Sequence, residues 1–264
     1  MTKIFLIAKN SAREAFRQKL VSLILAAAVA LTLFSMWAMK LDLGHEQLKF
    51  TANFTAGALG FFGAVVSVVL TCRLFYSEIE NRTAATLLAR PVSRFQFVAG
   101  KLAGVAAMLA IFALAVLLAG AIPLFLTRQK LGLLPDEMFL GGRPDLKWAG
   151  YAVFGFLQYV KLVAIAAMAC LVCAASRSMV FAIIASFMVC AAAVVSCSEF
   201  FSGGGFLLNA ALYIVPDFDI FENSIGFIFG GVNWAQFFAA FFYGVIYIFA
   251  FLILSVWAFA SREI

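Results

Sequence analysis

Charge is scarce in this chain. Only 12% of its 264 residues are Asp, Glu, Lys or Arg, whereas about a quarter of the residues are charged in soluble proteins. Hydrophobic residues make up 65% of the sequence, and the mean hydropathy is +1.05. Ten-residue segments of alternating polarity, which are typical of membrane β-barrels, are also lacking. We therefore predict an all-α polytopic membrane protein and exclude a soluble domain.

Histidine and cysteine are too few, and too scattered, to suggest a metal or catalytic centre. His45 is the only histidine and has no ligand cluster around it. The five cysteines form an odd set within or beside apolar segments, which disfavours a disulfide framework. Cys170 and Cys173 have redox-motif spacing, but they lie in an apolar helix without a second pair. We interpret them as packing residues and predict no metal site.

Six apolar segments are long enough to cross a hydrocarbon core of roughly 30 Å as helices. Between the last two, a Ser-Gly-Gly-Gly stretch breaks any helix, and the apolar run after it is too short to cross. We expect one or two short helices there, at or dipping into the outer surface. The chain is interpreted as one domain, 1–264, with transmembrane helices at 20–39, 50–76, 95–126, 148–175, 179–198 and 234–260, a loop at 77–94 and an outer loop at 199–233.

Residues 1–19 have the pattern of an amphipathic helix. Lys9, Arg13 and Arg17 recur at spacing four, and a second stripe is apolar, including Phe5 and Phe16. The pattern favours a helix lying in the membrane interface. A solvated basic tail is the alternative, because positive charge is expected on the cytoplasmic side in any case.

The positive charge predicts the orientation of the spans. Six spans place both termini on one side, and that side carries twelve of the nineteen Lys and Arg residues, against six on the other. By the positive-inside rule, both termini and the loop 77–94 are cytoplasmic. The same spread of charge over loops explains the pI near 9.2 without a nucleic-acid partner.

Local signals in the loop 77–94 predict a short helix. Thr83 can cap a helix that Pro91 ends, and the run from Ser93 to Gln96 is a capping box that begins the next helix. A helix of under two turns is unstable alone, so a neighbour must hold it. Leu87 and Leu88 are apolar residues on this charged loop.

Arg82, Arg90 and Arg94 flank the leucine pair. These residues suit a docking surface for a partner. They equally suit a loop packed against its own helices, and the residues alone leave both readings open.

The loop sequence resembles the first cytoplasmic loop of type-2 ATP-binding-cassette exporter permeases. A second stretch resembles the last outer loop in relatives of the permeases of nitrous oxide reductase maturation and of gliding motility. One departure is Arg82, where many members have Gly. The residues that carry the resemblance are Glu78, Glu80, Thr83, Leu87, Leu88, Pro91, Val92, Ser93, Arg94, Gly100 and Lys101 in the first stretch, and Leu212, Tyr213, Pro216, Phe218 and Phe221 in the second.

The resemblance implies a coupling helix that docks in a groove of a separate ATPase. Two permeases, identical or different, and two ATPases would form the transporter, with ATP and Mg bound in the ATPase. The sequence agrees that ATP is hydrolysed elsewhere, because it lacks a Gly-x-x-x-x-Gly-Lys-Ser/Thr loop. We therefore expect no catalytic residue and no cofactor in this chain, and we expect a location in the bacterial cytoplasmic membrane.

Polar residues within the spans are candidates for a substrate path. Lys161 is about thirteen residues into its span, where a lysine is costly and often functional. It could attract an anionic substrate group, pair with a carboxylate such as Glu199, or extend outward to water. Gln158 and Asn53 are weaker candidates, since such residues more often bond between helices.

The sequence thus favours the permease subunit of an ATP-driven exporter. A secondary transporter or channel usually has several carboxylates within its spans or paired broken helices, and these spans have almost none. A membrane enzyme lacks a candidate catalytic set. A membrane scaffold without transport remains an alternative.

Overall fold

A computed structural model describes residues 2–38, 47–80, 93–132, 146–195 and 216–260. Within these ranges the chain is helical and has no strand, which confirms the all-α prediction. The helices, numbered in chain order, are α1 (Thr2–Phe16), α2 (Lys19–Ala38), α3 (Gln47–Glu80), α4 (Arg94–Gly132), α5 (Trp148–Ala175), α6 (Met179–Val195), α7 (Asp219–Glu222), α8 (Phe227–Gly230) and α9 (Trp234–Ala260).

Five of these helices, α2, α3, α4, α5 and α9, are long and apolar enough to cross a membrane. The described part of α6 is a shorter apolar helix. The chain is therefore a multi-pass membrane protein. The sixth span remains a prediction, because α6 is followed by residues outside the described ranges.

Helix α5 lies at the centre of the bundle. Of the residues in its most apolar stretch, 78% are buried, against 17% in α9 and 22% in α2. It packs against α3, α4, α6 and α9. A helix that is apolar on all sides can be buried in this way, and α5 thus provides the frame on which the other helices are arranged.

Helix α1 packs across the first turns of α4, at two glycines. A Cβ atom on Gly104 would lie 2.6 Å from the Ser11 Cβ, and one on Gly100 would lie 2.8 Å from the Ile7 Cγ2. Ala15 continues this contact face and is fully buried. Small residues at spacing four allow two helix backbones to approach closely.

The other faces of α1 are open. Phe5 and Phe16 are 69% and 67% exposed, so these two members of the predicted apolar stripe lie away from the helix bundle. Lys9, Arg13 and Arg17 are exposed as well. The face that packs on α4 is centred on Ser11, and the backbone of Ala8 and of Ala12 also contacts Gly104 there.

The segment before α9 folds back along α5. The Gln158 Nε2 donates to the Phe221 carbonyl at 3.2 Å, and the Lys147 N–H donates to the Ile228 carbonyl at 2.9 Å. The segment therefore runs antiparallel to α5. The two contacts are eleven positions apart on the α5 side, from Lys147 to Gln158, which corresponds to about 16 Å along a helix. It contains α7, a 3₁₀ turn at Asn223–Gly226, and α8, and we call it the return segment (216–230).

Glycine allows the close approach and the exit of the return segment. The carbonyl of Phe227 lies directly over Gly150, where any Cβ atom would collide with it. Gly231 then has φ +91°, a left-handed conformation that glycine adopts without strain. This turn leads the chain into α9.

Candidate functional site

The predicted coupling helix lies mostly outside the described residues. This applies to Arg82, Thr83, Leu87, Leu88, Arg90 and Pro91. The structure describes the two helix ends that flank them: α3 ends at Glu80, with Glu78 in its last turn, and α4 begins at Arg94. We call this region, where α3 ends and α4 begins, the loop base.

The predicted capping box is present at the loop base. The Gln96 backbone N–H donates to the Ser93 Oγ at 3.2 Å, and the Ser93 N–H donates to the Gln96 Oε1 at 3.3 Å. The two bonds satisfy donors that a helix N-terminus otherwise leaves unpaired. This part of the sequence prediction is confirmed, and it sets the start of α4.

Lys101 joins the two helices of the loop base. It is only 2% exposed, and its ammonium group donates to the Leu74 carbonyl at 2.7 Å. A hydrogen bond from a charged donor is stronger than a neutral one. From the sequence, Lys101 was included only among the residues that carry the family resemblance, and no function was assigned to it. Its contact with α3 now gives it one.

Three aromatic rings extend this junction to the end of α9. Phe75 of α3 lies 6.2 Å from Phe97 of α4, and each ring lies 5.7 Å from Phe259 of α9. All three side chains are buried. The last turns of α3 and α9 and the first turn of α4 therefore share one apolar contact.

Two further side chains connect the loop base to its neighbours by hydrogen bonds. The Ser77 hydroxyl donates to the Glu14 Oε1 of α1 at 3.0 Å. The Tyr76 hydroxyl lies 2.8 Å from both the carbonyl and the hydroxyl oxygen of Ser176, in the turn between α5 and α6. The loop base thus contacts α1, α9 and the α5–α6 turn.

The second polar feature is an ion pair inside the bundle. Lys161 of α5 is 7% exposed, and its ammonium group donates to the Glu222 carboxylate of α7. The Glu222 side chain is 49% exposed. The Phe218 ring lies 5.9 Å from the Lys161 Nζ, within the range of a cation–π contact.

The partner of Lys161 is thus a carboxylate of the return segment. From the sequence, Glu199 was the example of such a partner, and it lies outside the described residues. The side chain of Lys161 turns toward α7 within the protein and does not extend outward to water. Sequence reasoning missed Glu222, because nothing local in the sequence relates positions 61 residues apart.

Gln158 binds the same segment one turn away from Lys161. It is 1% exposed; its Nε2 is bonded to Phe221, and its Oε1 has no partner among the described residues. Phe221 packs 6.3 Å from the Tyr243 ring of α9, and the Tyr243 hydroxyl accepts from the Asp217 N–H at 2.7 Å. The return segment is therefore hydrogen-bonded to both α5 and α9.

The remaining residues named from the sequence fall into two groups. Pro216, Phe218 and Phe221 are buried, so they anchor the return segment. Asn53 is exposed on α3, apart from the Lys161 ion pair. The structure therefore unites Lys161, Gln158, Phe218 and Phe221, and leaves Asn53 outside that group.

The model of the ABC-2 family transporter proteins matches residues 16–193. The chain belongs to the ABC-2 family. The comparison with curated proteins found no match. The narrower resemblance to the permeases of nitrous oxide reductase maturation and of gliding motility remains a prediction.

ABC-2 family chains are permeases, the membrane components of ABC transporters, and they are generally not catalytic. The matched range contains α2 to α5, most of α6, the loop base and Lys161, whereas Glu222 and α9 lie after it. Lys161 therefore lies within the matched range and Glu222 outside it. Among the described residues, no group of three His, Cys, Asp or Glu side chains could hold a metal.

The cysteines pack within this ABC-2 fold. Cys72, Cys170 and Cys173 are buried, and the Cys173 thiol lies 3.1 Å from the Cys72 sulfur. The contact joins α3 to α5. Cys197 lies outside the described residues.

Proposed function

We propose that this chain is the permease subunit of an ATP-driven exporter in the bacterial cytoplasmic membrane. In this proposal it has six spans, with both termini and the loop 77–94 in the cytoplasm. Two permeases form the pathway, and a separate ATPase dimer binds ATP and Mg. Family membership supports the role of an ABC permease. The contacts of the loop base support the proposed coupling, in which movement of the loop 77–94 is passed on to the membrane helices.

The coupling proposal depends on one observation: the loop base contacts three other parts of the fold. ATP binding closes the ATPases and displaces the short helix between Thr83 and Pro91. Because the loop base bonds or packs to α1, α9 and the α5–α6 turn, a displacement there cannot stay local. Packed helices transmit such shifts as rigid bodies.

The test is the replacement of Leu88 by a charged residue. Leu88→Asp introduces a carboxylate at the proposed docking contact, so we expect the ATPase to be lost when the complex is purified, together with ATP-driven transport. The matched control is Leu133→Asp, in the loop predicted on the opposite side, which should retain the ATPase. Retention of the ATPase and of transport by Leu88→Asp would refute the docking role.

The substrate path is proposed to include Lys161, Gln158 and Asn53. Lys161 is the only described cation of α5 within the bundle, and its partner Glu222 is half-exposed. An anionic group of a substrate can therefore compete with Glu222 for the ammonium group. Transport by Lys161→Met should fall, whereas Lys161→Arg, which keeps the charge, should retain part of it. Unchanged transport by Lys161→Met would remove Lys161 from the path.

A further inference from the structure

An apolar groove follows the side of the bundle between α4 and α5. Its main part has a volume of about 550 Å³. The floor consists of small or buried residues, among them Ala113 and Gly155, and the lips are exposed, as in Leu114, Leu118 and Phe156. The groove is thus open sideways, toward the lipid that surrounds a multi-pass protein.

A second cavity continues the groove toward the end of α4. It has a volume of about 340 Å³ and shares Ala121 and Trp148 with the first. Together the two cavities follow α4 from Ala110 to Leu126, a length of about 24 Å at 1.5 Å per residue. Half of a hydrocarbon core is about 15 Å thick, so the groove can hold the whole acyl chain of one lipid.

The walls of the groove are almost entirely apolar. Its two tyrosines use their hydroxyl groups within the protein: Tyr151 donates to the Leu117 carbonyl at 2.7 Å, and Tyr159 donates to the Ala106 carbonyl at 3.3 Å. These bonds also hold α4 and α5 together along the groove. The two hydroxyl groups are thus engaged within the protein, and an acyl chain needs no polar partner.

The described charged residues at the end of the groove near Leu126 are all basic. Arg128 and Lys130, near the end of α4, and Lys147, beside the first turn of α5, are exposed. Trp148 lies at the same end, at the lip of the groove, and tryptophan prefers the level of the lipid headgroups. An anionic headgroup fits this end.

We propose that the groove between α4 and α5 binds an anionic phospholipid, with one acyl chain along α4 and the headgroup near Arg128 and Lys130. Lipid tails are as apolar as leucine, so burial alone does not favour the groove over bulk lipid. The selectivity of the groove for an anionic phospholipid comes from the fit of the acyl chain to the groove and from the negative charge of the headgroup. Each basic residue near an anionic lipid contributes a factor of roughly five in binding.

The experiment uses the full chain in nanodiscs with a photoactivatable probe. The probe is phosphatidylglycerol with a diazirine in its acyl chain, and phosphatidylcholine with the same chain is the neutral counterpart. We expect cross-links at Leu114, Leu118 or Phe156, more frequent with phosphatidylglycerol. The double variant Arg128→Gln/Lys130→Gln should remove most of that preference, roughly tenfold or more, while cross-links from the neutral probe persist.

A groove-filling variant tests the acyl-chain site itself. Ala152→Phe places a ring in the groove and should abolish these cross-links. Ala30→Phe makes the same change at an exposed position of α2 and should leave them intact. Equal labelling of both probes in the parent chain, or unchanged labelling in Ala152→Phe, would overturn the proposal. So would cross-linking of two copies through an added cysteine in Leu118→Cys, since a second copy would then occupy the groove.

Discussion

Removal of either charge of the Lys161–Glu222 ion pair should have unequal effects. The Lys161 side chain is 9% exposed, whereas the Glu222 side chain is 49% exposed. Glu222→Gln leaves a buried ammonium group without its counter-charge. Lys161→Met leaves a carboxylate that water can reach, and it replaces the lysine by an apolar side chain of similar length.

The magnitude follows from this difference in exposure. Loss of one partner from a buried pair costs about 3–5 kcal/mol, and the partial exposure of Glu222 favours the lower value, about 3 kcal/mol, for Glu222→Gln. Lys161→Met should cost about 1 kcal/mol or less, as for exposed pairs. For a chain of this size, 1 kcal/mol corresponds to roughly 2–4 °C in Tm. We therefore expect Tm to fall by about 6–12 °C in Glu222→Gln and by less than about 4 °C in Lys161→Met.

Thermal unfolding of the purified chain in detergent measures the effect. The double variant Lys161→Met/Glu222→Gln removes both charges and should recover most of the Tm lost in Glu222→Gln, because no buried charge then remains unpaired. An equal fall of Tm in the two single variants would refute the reasoning from exposure. A double variant less stable than both would show that the pair does not interact as described.

Two other changes test the contacts of α4 with α1 and with α3. Gly104→Ala adds a Cβ atom against the Ala8 backbone carbonyl, at 2.9 Å, and should destabilise the protein by about 1–3 kcal/mol; Gly57→Ala, with no atom within 4 Å, should be neutral or stabilising by up to about 1 kcal/mol. An equal thermal shift in both would contradict the close contact of α1 with α4. Lys101→Met removes the bond to the Leu74 carbonyl and should speed amide hydrogen exchange in the last turns of α3, whereas Lys130→Met should not; unchanged exchange would show that the bond does not hold α3.

The sequence was most informative where one local interaction determines the structure. The capping box from Ser93 to Gln96 depends on residues three apart, and it is present as predicted. Long apolar runs predicted helices for the same reason, since the membrane requires every backbone group to bond within its own segment. A lysine deep in a span predicted a functional or paired side chain, because an isolated charge there is costly.

The sequence was less informative where lipid and protein compete for the same face. Phe5 and Phe16 formed an apolar stripe, but lipid satisfies apolar side chains as well as another helix does. Close packing selected the stripe with Ser11, which fits the surface of Gly104. Likewise, the charge of Lys161 allowed a substrate group, a carboxylate partner or extension to water, and only the return path of the chain along α5 determines that Glu222 is its partner.

The separation of Lys161 and Glu222 along the chain has a consequence for synthesis. The two residues are 61 positions apart, and at about 5–20 residues per second the ribosome adds Glu222 roughly 3–12 s after Lys161. Helix α5 therefore enters the membrane while its lysine still lacks this counter-charge. Its apolar residues, with a mean hydropathy of 2.0 over the most apolar stretch, must therefore offset the cost of inserting the lysine until the return segment has been synthesised.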